Sequence, residues 1–461
     1  MSWLSEHKVL VFWLLFVPLF FLNQGLRIND RGLGDDSREF WAAAYHVAHG
    51  QGFSIAQNSE TAEPLDAYRP PAYPAFLSLF IKLSPDLIHD DFSWYFHPKV
   101  DPGKLHAPAG MVAVKWFQAG LLFISALLAM GLARSITRSA ACGYGALILV
   151  SLHPFLTSFS HRYYSEMLAA FLITLFAWLF HRCLKHRGWL DFFLAGLTLG
   201  LLTLTRAQWY YLGFFCLAYL VFAAWRIREA RTRLLIGALI VLFCSAALVT
   251  PWKLRNQQLF GRAFITERAG IALDLRSRYA TMTNKEILAS FVYWSRSAGK
   301  DALLETLFQP EDYTGLVRET GYYRAALDRS GQLEAQHPRA EADRIQFNEA
   351  KQRLLANIWG YVRTLPSMTY RGMVDGHLSL LNLAFYLLFA VGLLALVRRG
   401  DWIGLGALWP FLGLWAFNSL ITHNLDRFNG AGTSLLLVGA VVGWQAWALR
   451  KRKSQRSSNS A

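Results

Sequence analysis

The feature that most constrains this chain is a set of long segments without charge. The segments with 18 or more consecutive residues and no Asp, Glu, Lys or Arg include Val9–Leu26, Trp116–Ala133, Ala207–Trp225, Leu234–Trp252, Leu378–Val397, Trp402–Thr422 and Asn429–Leu449. An α-helix of about 20 such residues spans the hydrocarbon core of a bilayer. Because backbone polar groups inside a bilayer must bond within their own segment, helices are the expected form. The sequence therefore predicts an all-α polytopic membrane protein.

The composition excludes several other classes of protein. Of the 461 residues, 54% are hydrophobic and only 17% are charged, whereas soluble domains carry about a quarter charged residues. These values exclude a soluble globule, a disordered chain, a collagen-like fibre and a small disulfide scaffold. An outer-membrane barrel is disfavoured because its strands alternate in polarity and are about half as long. Weaker apolar stretches at roughly 141–159, 163–182 and 191–205 bring the predicted number of transmembrane helices to about ten.

The distribution of basic residues predicts the orientation of the chain. The net charge is +15, and much of it lies in short connections between apolar runs: Arg134 and Arg138; Arg182, Lys185 and Arg187; Arg226, Arg228, Arg231 and Arg233; Arg398 and Arg399; and Arg450–Lys453. Short cytoplasmic loops are enriched in Lys and Arg, so these connections and both termini are expected inside. Nucleic-acid-binding proteins cluster such residues on a soluble domain, and no nucleic-acid partner is predicted. The expected location is the plasma (inner) membrane.

The cysteines and the first apolar run give no sign of processing. Cys142, Cys183, Cys216 and Cys244 lie in or beside apolar runs, and none lies in the segments expected outside. No structural disulfide is therefore predicted. The first run lacks a small-residue cleavage site and is expected to remain as an uncleaved first span.

Two long segments, 27–110 and 253–376, interrupt the alternation of helix and short loop, and both are expected outside. The first contains an amphipathic stretch at Ser37–His49 and an apolar one at Tyr73–Leu83 that is too short to cross a bilayer. Helices of this kind lie in the plane of the interface. The second segment is polar and helix-rich, with amphipathic periodicity around Ile345–Val362.

Ionisable residues are concentrated at the predicted outer boundary: Asp35, Asp36, Arg69, His161, Arg162, Glu166, Arg206, Lys253, Arg255, Asp426 and Arg427. Charges near membrane depth are costly, so such clusters often mark a functional site. Carboxylates alone would indicate a cation as ligand. Carboxylates beside several arginines indicate a phosphate-bearing ligand together with a base or a metal.

Each candidate also has a purely structural interpretation. Asp36-Ser-Arg-Glu39 fits a helix N-cap with a capping box, and Glu166 fits an acid favoured by the dipole at a helix start. Arg206 fits a side chain that extends to the interface from a tight turn. His161 fits an interfacial residue, since no spaced His or Cys partner appears. No P-loop, Rossmann glycine pattern, HExxH or GxSxG motif is present, which disfavours a nucleotide-driven pump.

Several motifs, taken in order, resemble a known family. They are Asp35–Phe40, His49–Phe53, Tyr68–Pro74, Leu202–Arg206, Pro251–Asn256 with Phe260-Gly261, and His423–Phe428. This series resembles GT-C membrane glycosyltransferases. It is most similar to the bacterial branch related to protein O-mannosyltransferases and the aminoarabinose transferases of lipid A. The resemblance covers roughly residues 1–265, and the remainder only through its layout and the last motif.

The resemblance implies a function and a division of the chain. Such enzymes take a sugar from a polyprenyl-phosphate carrier and place it, usually with inversion, on a lipid, glycan or protein acceptor at the outer membrane face. The partners expected are therefore the lipid-linked donor, the acceptor and membrane lipids. Residues 1–252 would form the catalytic module with seven spans, 253–376 an extracytoplasmic helical region, 377–450 the last transmembrane helices, and 451–461 a basic cytoplasmic tail.

The resemblance also assigns roles to particular residues. Asp36 matches the catalytic acid that opens the first interfacial helix, and Glu166 lies where relatives place another acid. Arg69 and Arg255 match positions expected to hold the lipid phosphate, and Arg206 and Arg427 are further candidates. The aminoarabinose enzymes carry an acid where this chain has Tyr68. Some relatives have two acids where this chain has Glu166 alone, so a divalent metal held by Asp36, Glu166 and His161 stays an open alternative.

A lipid transporter is the main rival interpretation. A flippase for a glycolipid or polyprenyl lipid would place polar residues near the bilayer midplane, often within internal repeats. Here the centres of the spans are apolar and no repeat is found. A glycolipid-binding scaffold without catalysis is a third possibility, and it would tolerate loss of Asp36.

Overall fold

The structure is a computed structural model, and it describes residues 8–28, 35–56, 64–88, 109–295, 299–374 and 379–459. Parts of the segment predicted as the first outer loop, the side chain of Asp35, and the end of the basic tail lie outside the described residues. Within the described ranges the regular elements are α-helices and short 3₁₀ turns. The all-α prediction is confirmed.

The first four helices are α1 (Lys8–Gly25), α2 (Asp35–Ala48), α3 (Ala72–Leu83) and α4 (Pro85–Ile88). Helices α2 and α3 form where the amphipathic segments were predicted. They pack on each other through Phe40 and Tyr73, whose ring centroids are 5.1 Å apart. The side chains of Trp41 and Ala44 are fully buried. Helix α2 is thus enclosed on more than the one face that the pattern predicted.

Seven helices follow: α5 (Ala109–Thr137), α6 (Ala140–Leu152), α7 (Pro154–Ser160), α8 (Ser165–Lys185), α9 (Trp189–Thr205), α10 (Trp209–Arg226) and α11 (Arg231–Phe260). Pro154 cannot donate a backbone hydrogen bond, so it starts a new helix rather than continuing α6. The axis bends by 52° at this break. Helix α8 lies at the centre of the bundle, with Phe176 and Phe180 fully buried.

The long second segment forms α12 (Ala269–Tyr279), α13 (Asn284–Tyr293), α14 (Lys300–Leu307), α15 (Tyr322–Glu334), α16 (Arg339–Ala356), α17 (Ile358–Arg363) and α18 (Leu365–Val374). Its own small core includes Leu275, Tyr279 and Met368. The amphipathic stretch predicted at Ile345–Val362 is divided at Asn357, whose side chain accepts a hydrogen bond from the Gly360 amide and starts α17. This region is therefore a packed helical unit.

The last helices are α19 (Ser379–Arg399), α20 (Trp402–Ile421), α21 (Asp426–Gly430) and α22 (Thr433–Asn459). Helices α19 and α22 approach closely because glycines meet at their contact. A Cβ atom added to Gly443 would lie 1.9 Å from the Leu388 carbonyl oxygen. Small residues commonly permit such close packing between membrane helices.

Six helices are long and apolar enough to cross a bilayer, namely α1, α5, α8, α11, α19 and α20, and the bent pair α6–α7 makes a seventh if it counts as one span. The other predicted spans are also helical, as α9, α10 and α22. Helix α9 has only 17 residues. The chain is a multi-pass membrane protein, with helices at all ten predicted positions.

The connections gather at two ends of the bundle. One end, called the basic end here, carries the short connections at 134–139, 182–188, 226–233 and 398–401. The opposite end, called the site end, carries the described parts of the two long segments and the connections at 161–164, 206–208 and 422–425. A contact typical of the basic end joins Ser135 to His181, at 2.9 Å. A contact typical of the site end joins the Tyr361 hydroxyl to the Leu420 carbonyl, at 3.0 Å.

Candidate active site

Asp36 lies at the start of α2 between two arginines from distant parts of the chain. Its Oδ1 atom is 2.9 Å from Nη2 of Arg69. Its Oδ2 atom accepts a hydrogen bond of 2.9 Å from Nη1 of Arg427. The Asp36 side chain keeps 27% of its surface exposed. The carboxylate is thus accessible while both of its oxygens are engaged.

Arg69 is the buried member of this group, with 10% of its side chain exposed. Its Nε donates to Glu39 at 2.6 Å, and its guanidinium lies over the Phe40 ring, 4.6 Å from the centroid. Glu39 and Asp36 are three residues apart and share one face of α2. One planar guanidinium therefore bridges two carboxylates of the same helix.

The observed hydrogen bonds of Asp36 and Glu39 differ from those of a capping box. Helix α2 begins at Asp35, so Asp36 lies inside the first turn. The Asp36 and Glu39 carboxylates bond guanidinium groups. In a capping box they would bond backbone amides. The capping-box interpretation of this motif is wrong.

A second ion pair joins Glu166 and Arg206, whose Oε1 and Nη1 atoms are 3.2 Å apart. Glu166 lies in the first turn of α8, and Arg206 lies in the connection between α9 and α10. Both side chains are largely buried. Burial by itself would lower the pKa of Arg427. The carboxylates of Glu166 and Asp36 outweigh burial and raise the pKa of Arg427 above its ordinary value. The two pairs therefore form one electrostatic unit, called the carboxylate–arginine cluster here: Asp36, Glu39, Arg69, Glu166, Arg206 and Arg427.

The ionisation of Asp36 follows from its neighbours. Burial by itself would raise the pKa of this carboxyl. The guanidinium groups of Arg69, Arg427 and Arg268 outweigh burial and hold the pKa of Asp36 well below its usual range. The carboxylate is therefore ionised at neutral pH and is a weak base while these arginines face it.

Arg255 has a different set of contacts. It donates from Nη1 to the carbonyl of Asp66 at 2.8 Å and from Nη2 to the carbonyl of Phe53 at 3.4 Å. Its guanidinium lies 4.7 Å from the centroid of the Trp252 ring. These bonds fasten the first long segment to α11. The structure thus places Arg255 beside the cluster and not among its ion pairs.

The residues proposed for a metal site are engaged in other contacts. The Nε2 atom of His161 is 2.9 Å from the side-chain oxygen of Gln24 in α1. Both oxygens of Asp36 already face guanidinium groups. In the described part of the chain, no three His, Cys, Asp or Glu side chains form a group able to hold a metal ion. The described arrangement of Asp36, Glu166 and His161 does not fit such a site.

Two further residues belong to this environment and were not predicted. Glu39 could have been found, because its spacing from Asp36 places both on one helix face. Arg268 lies 4.8 Å from the Tyr68 ring centroid and acts on the charge of Asp36. It lies in the segment that resembles the family least, and no local pattern distinguishes it from other arginines there.

Comparison with known proteins gives similarity in structure only. No protein-family model matches the chain, and no curated protein matches it. The apo oligosaccharyltransferase of Archaeoglobus fulgidus is similar over 100% of this chain and 53% of its own, with 14% sequence identity and a TM-score of 0.53. This chain thus spans about half the length of that transferase.

Two structures of ArnT from Cupriavidus metallidurans are also similar. The complex with undecaprenyl phosphate matches over 94% of this chain and 78% of its own, with 14% identity and a TM-score of 0.40. The apo form matches over 95% and 78%, with 15% identity and a TM-score of 0.38. The fold is established by the similarity to the archaeal transferase, whose TM-score of 0.53 is the highest of these three. The chain has the GT-C fold of membrane glycosyltransferases, as its motifs predict.

Proposed function

We propose that this protein is a membrane glycosyltransferase that moves a sugar from a polyprenyl-phosphate-linked donor to an envelope acceptor, with inversion. The observation that carries the proposal is the Asp36 carboxylate held between Arg69 and Arg427. Guanidinium groups bind phosphate through paired N–H donors. A carboxylate within reach of the same ligand can remove a proton from an acceptor hydroxyl. The GT-C fold supports this assignment, since enzymes of that fold use such donors.

The reaction requires two groups that this cluster supplies. The bond between the anomeric carbon and the carrier phosphate oxygen breaks, and the phosphate leaves with the bonding electrons. Arg69 and Arg427 stabilise this developing charge, as preorganised cations do in other transfer reactions. The acceptor hydroxyl oxygen forms the new bond to the anomeric carbon, and its proton passes to Asp36. No nucleotide is needed, because the donor supplies the free energy.

The ion pairs of Asp36 determine at which stage of the reaction its carboxylate can act as a base. While Arg69 and Arg427 face the carboxylate, its affinity for a proton is low. A donor phosphate offers these guanidinium groups a second set of acceptor oxygens. Sharing the arginines with the phosphate raises the basicity of Asp36. In this proposal the base becomes effective only when the donor is bound.

The other candidates take supporting roles in the proposal. Arg206 neutralises Glu166, which lies near Arg427 and keeps that arginine oriented. Arg255 acts through the carbonyls of Phe53 and Asp66, because it fixes the segment that leads to Arg69. It is therefore a positioning residue for the phosphate site.

Sugar transfer can be tested directly with the purified full-length protein in liposomes. We expect a polyprenyl-phosphate sugar to be consumed and a glycosylated acceptor to appear when envelope lipids and glycans are supplied. Mass spectrometry of envelope glycans with and without the gene identifies the acceptor as the missing product. Movement of the intact lipid-linked sugar between leaflets without any cleaved donor would instead establish the flippase function.

The outward orientation of the site end is also a proposal, and cysteine labelling tests it. In a background without the native cysteines, a cysteine at Gln332 in α15 should react in intact cells with a reagent that cannot cross the membrane. One at Ser454, near the end of α22, should not. A third position, Asn58, lies outside the described residues and should react like Gln332. Labelling of Ser454 alone would reverse the orientation.

A further inference from the structure

His423 is a buried imidazole at the site end. It lies in the connection between α20 and α21 and is only 8% exposed. Neither ring nitrogen has a partner within the described ranges. Its ring packs edge-on against Phe428, with centroids 5.0 Å apart, and lies 6.1 Å from the Tyr323 ring. Buried polar groups are nearly always bonded, so an unpaired imidazole here calls for a ligand.

The connection that carries His423 is held rigidly. Asn424 has a φ of 42°, a left-handed conformation that side chains other than glycine seldom adopt. Its Nδ2 atom donates to the Met368 carbonyl at 2.9 Å and to the Ser419 hydroxyl at 3.0 Å. Its Oδ1 atom accepts from Asn429 at 2.9 Å. The hydrogen bonds of Asn424 thus fix the position of His423, while the His423 ring nitrogens have no partner among the described residues.

Four arginines from separate segments act on the His423 ring: Arg268, Arg318, Arg371 and Arg427. Arg318 lies over the Tyr323 ring, 5.2 Å from its centroid, and is exposed to solvent. Within the described residues, neither Arg268 nor Arg318 forms an ion pair or a side-chain hydrogen bond. In the described part of the chain, these two guanidinium groups, whose charges reach the unbonded imidazole, therefore keep donor capacity for a ligand.

The charge state of the imidazole agrees with this geometry. Burial, reinforced by the surrounding guanidinium groups, lowers the pKa of His423 well below its ordinary value. The neutral ring keeps one N–H donor. Neutral donors and unpaired guanidinium groups together fit an anion with several acceptor oxygens, and phosphate has that geometry.

We propose that His423, Arg268 and Arg318 form a second anion site, called the His423 site here, which binds a phosphate group next to Arg427. Arg427 bonds Asp36 and its charge also reaches the His423 ring, so an anion bound there would lie near the reacting groups. Arg318 provides the entrance from solvent. The identity of the phosphate rests on the proposed function, whereas the existence of the site does not. The phosphate belongs either to the lipid carrier or to a separate molecule such as the acceptor.

Calorimetric titration of the purified full-length protein in detergent with inorganic phosphate tests the site. The two test variants are His423→Phe, which keeps an aromatic ring and removes the N–H donor, and Arg318→Ala, which alters an exposed side chain. A hydrogen bond to a charged group contributes roughly 1.5–3 kcal/mol, so each variant should bind phosphate at least about 10-fold more weakly. The matched control is Arg324→Ala, whose arginine is also exposed but pairs with Asp328 at 2.9 Å. It should bind like the wild type.

The same titration identifies the source of the phosphate. If polyprenyl phosphate displaces inorganic phosphate, the site holds the carrier phosphate, and if both bind at once it holds that of another molecule. Thermal melting of each variant shows whether His423→Phe remains folded, and Arg318→Ala carries the test if it does not. Equal phosphate affinity in the wild type, Arg318→Ala and Arg324→Ala would overturn the proposal. The measurement needs no sugar transfer, so its failure and that of the proposed function are distinguishable.

Discussion

The two ends of the helical bundle use arginine in different ways. At the basic end, Arg226 lies over the Trp402 ring at 4.6 Å and Arg233 over the Trp189 ring at 5.4 Å. Arg182 pairs with Asp191 at 2.7 Å but keeps 39% of its side chain exposed. At the site end, Arg69 bridges Asp36 and Glu39 with only 10% exposed.

The difference shows which property of an arginine identifies a site. Arginines at the boundary of a membrane commonly extend their charge to the interface while their stems and aromatic neighbours stay buried. Buried guanidinium groups instead require hydrogen-bond partners, and removing a charged partner is costly. Arginine is present at both ends. What distinguishes the site end is that its arginines come from distant segments and face the same carboxylates.

The largest expected effect comes from replacing Asp36 at the site end. Asp36→Asn removes the proton acceptor while nearly preserving the shape of the side chain. If Asp36 is the base, sugar transfer should fall by the roughly 10²–10⁴-fold typical of general acid–base catalysis. The assay is initial-rate transfer from a polyprenyl-phosphate sugar by purified protein.

Asp191→Asn is the matched control for this change. Asp191 also lies in the first turn of a helix and is also paired with an arginine, so the substitution removes the same charge from a similar environment at the basic end. We expect its transfer rate to match the wild type. Wild-type transfer by Asp36→Asn would remove the catalytic assignment and leave the two ends equivalent.

A smaller effect, on donor binding, is expected from replacing Arg69. Arg69→Ala leaves Asp36 and Glu39 without their shared cation, and each lost charged hydrogen bond costs about 1.5–3 kcal/mol. Donor binding should weaken at least about 10-fold and the melting temperature should drop. Arg69→Lys keeps the charge but not the planar fork, so its donor binding should fall between those of Arg69→Ala and the wild type.

Arg182→Ala at the basic end provides the comparison. Its side chain is half-exposed and faces a single carboxylate, so we expect little change in donor binding. Titration with the lipid donor and thermal melting in detergent measure both quantities. Unchanged donor affinity in both Arg69 variants would exclude this residue from the phosphate site.

The smallest effect concerns Glu267 at the site end, a carboxyl group for which the described part of the chain shows no bonded arginine. Burial, together with the charge of Asp66, raises the pKa of Glu267 to about 7. The folded protein therefore keeps a proton that the unfolded chain loses above its ordinary pKa of 4.5, and folding stability falls as the pH rises from about 4.5 to 7. Glu267→Gln should raise the melting temperature by a few degrees at pH 8 and have no effect at pH 4.

Glu341→Gln on α16 serves as the control, because Glu341 is exposed and pairs with Arg344. Its melting temperature should follow that of the wild type across the same pH series. A Glu267→Gln profile parallel to the wild type would show that this carboxyl is already ionised in the folded protein.

Much of the fold could be predicted because it depends on local patterns. The length of an uncharged run determines whether a helix can span a bilayer. The helices at the ten predicted positions, the short helices α2 and α3, and the separation of basic connections from the long segments all follow from such patterns. The same argument placed Arg206 and Arg427 at one end of the bundle, because each lies at the boundary of an apolar run. Asp36 and Arg69 were placed at that end because they lie in the first long segment.

The pairing of these residues was decided only by the tertiary structure. Asp36 and Arg427 are 391 residues apart, and no local pattern relates them. The bonds of Arg255 to backbone carbonyls, the contact of His161 with Gln24, and the unpaired ring of His423 likewise depend on how the helices pack. Sequence determines how deep in the membrane a side chain lies, because depth follows from the nearest hydrophobic run. The partner that the side chain meets there depends on the arrangement of every other helix, so only the folded chain decides it.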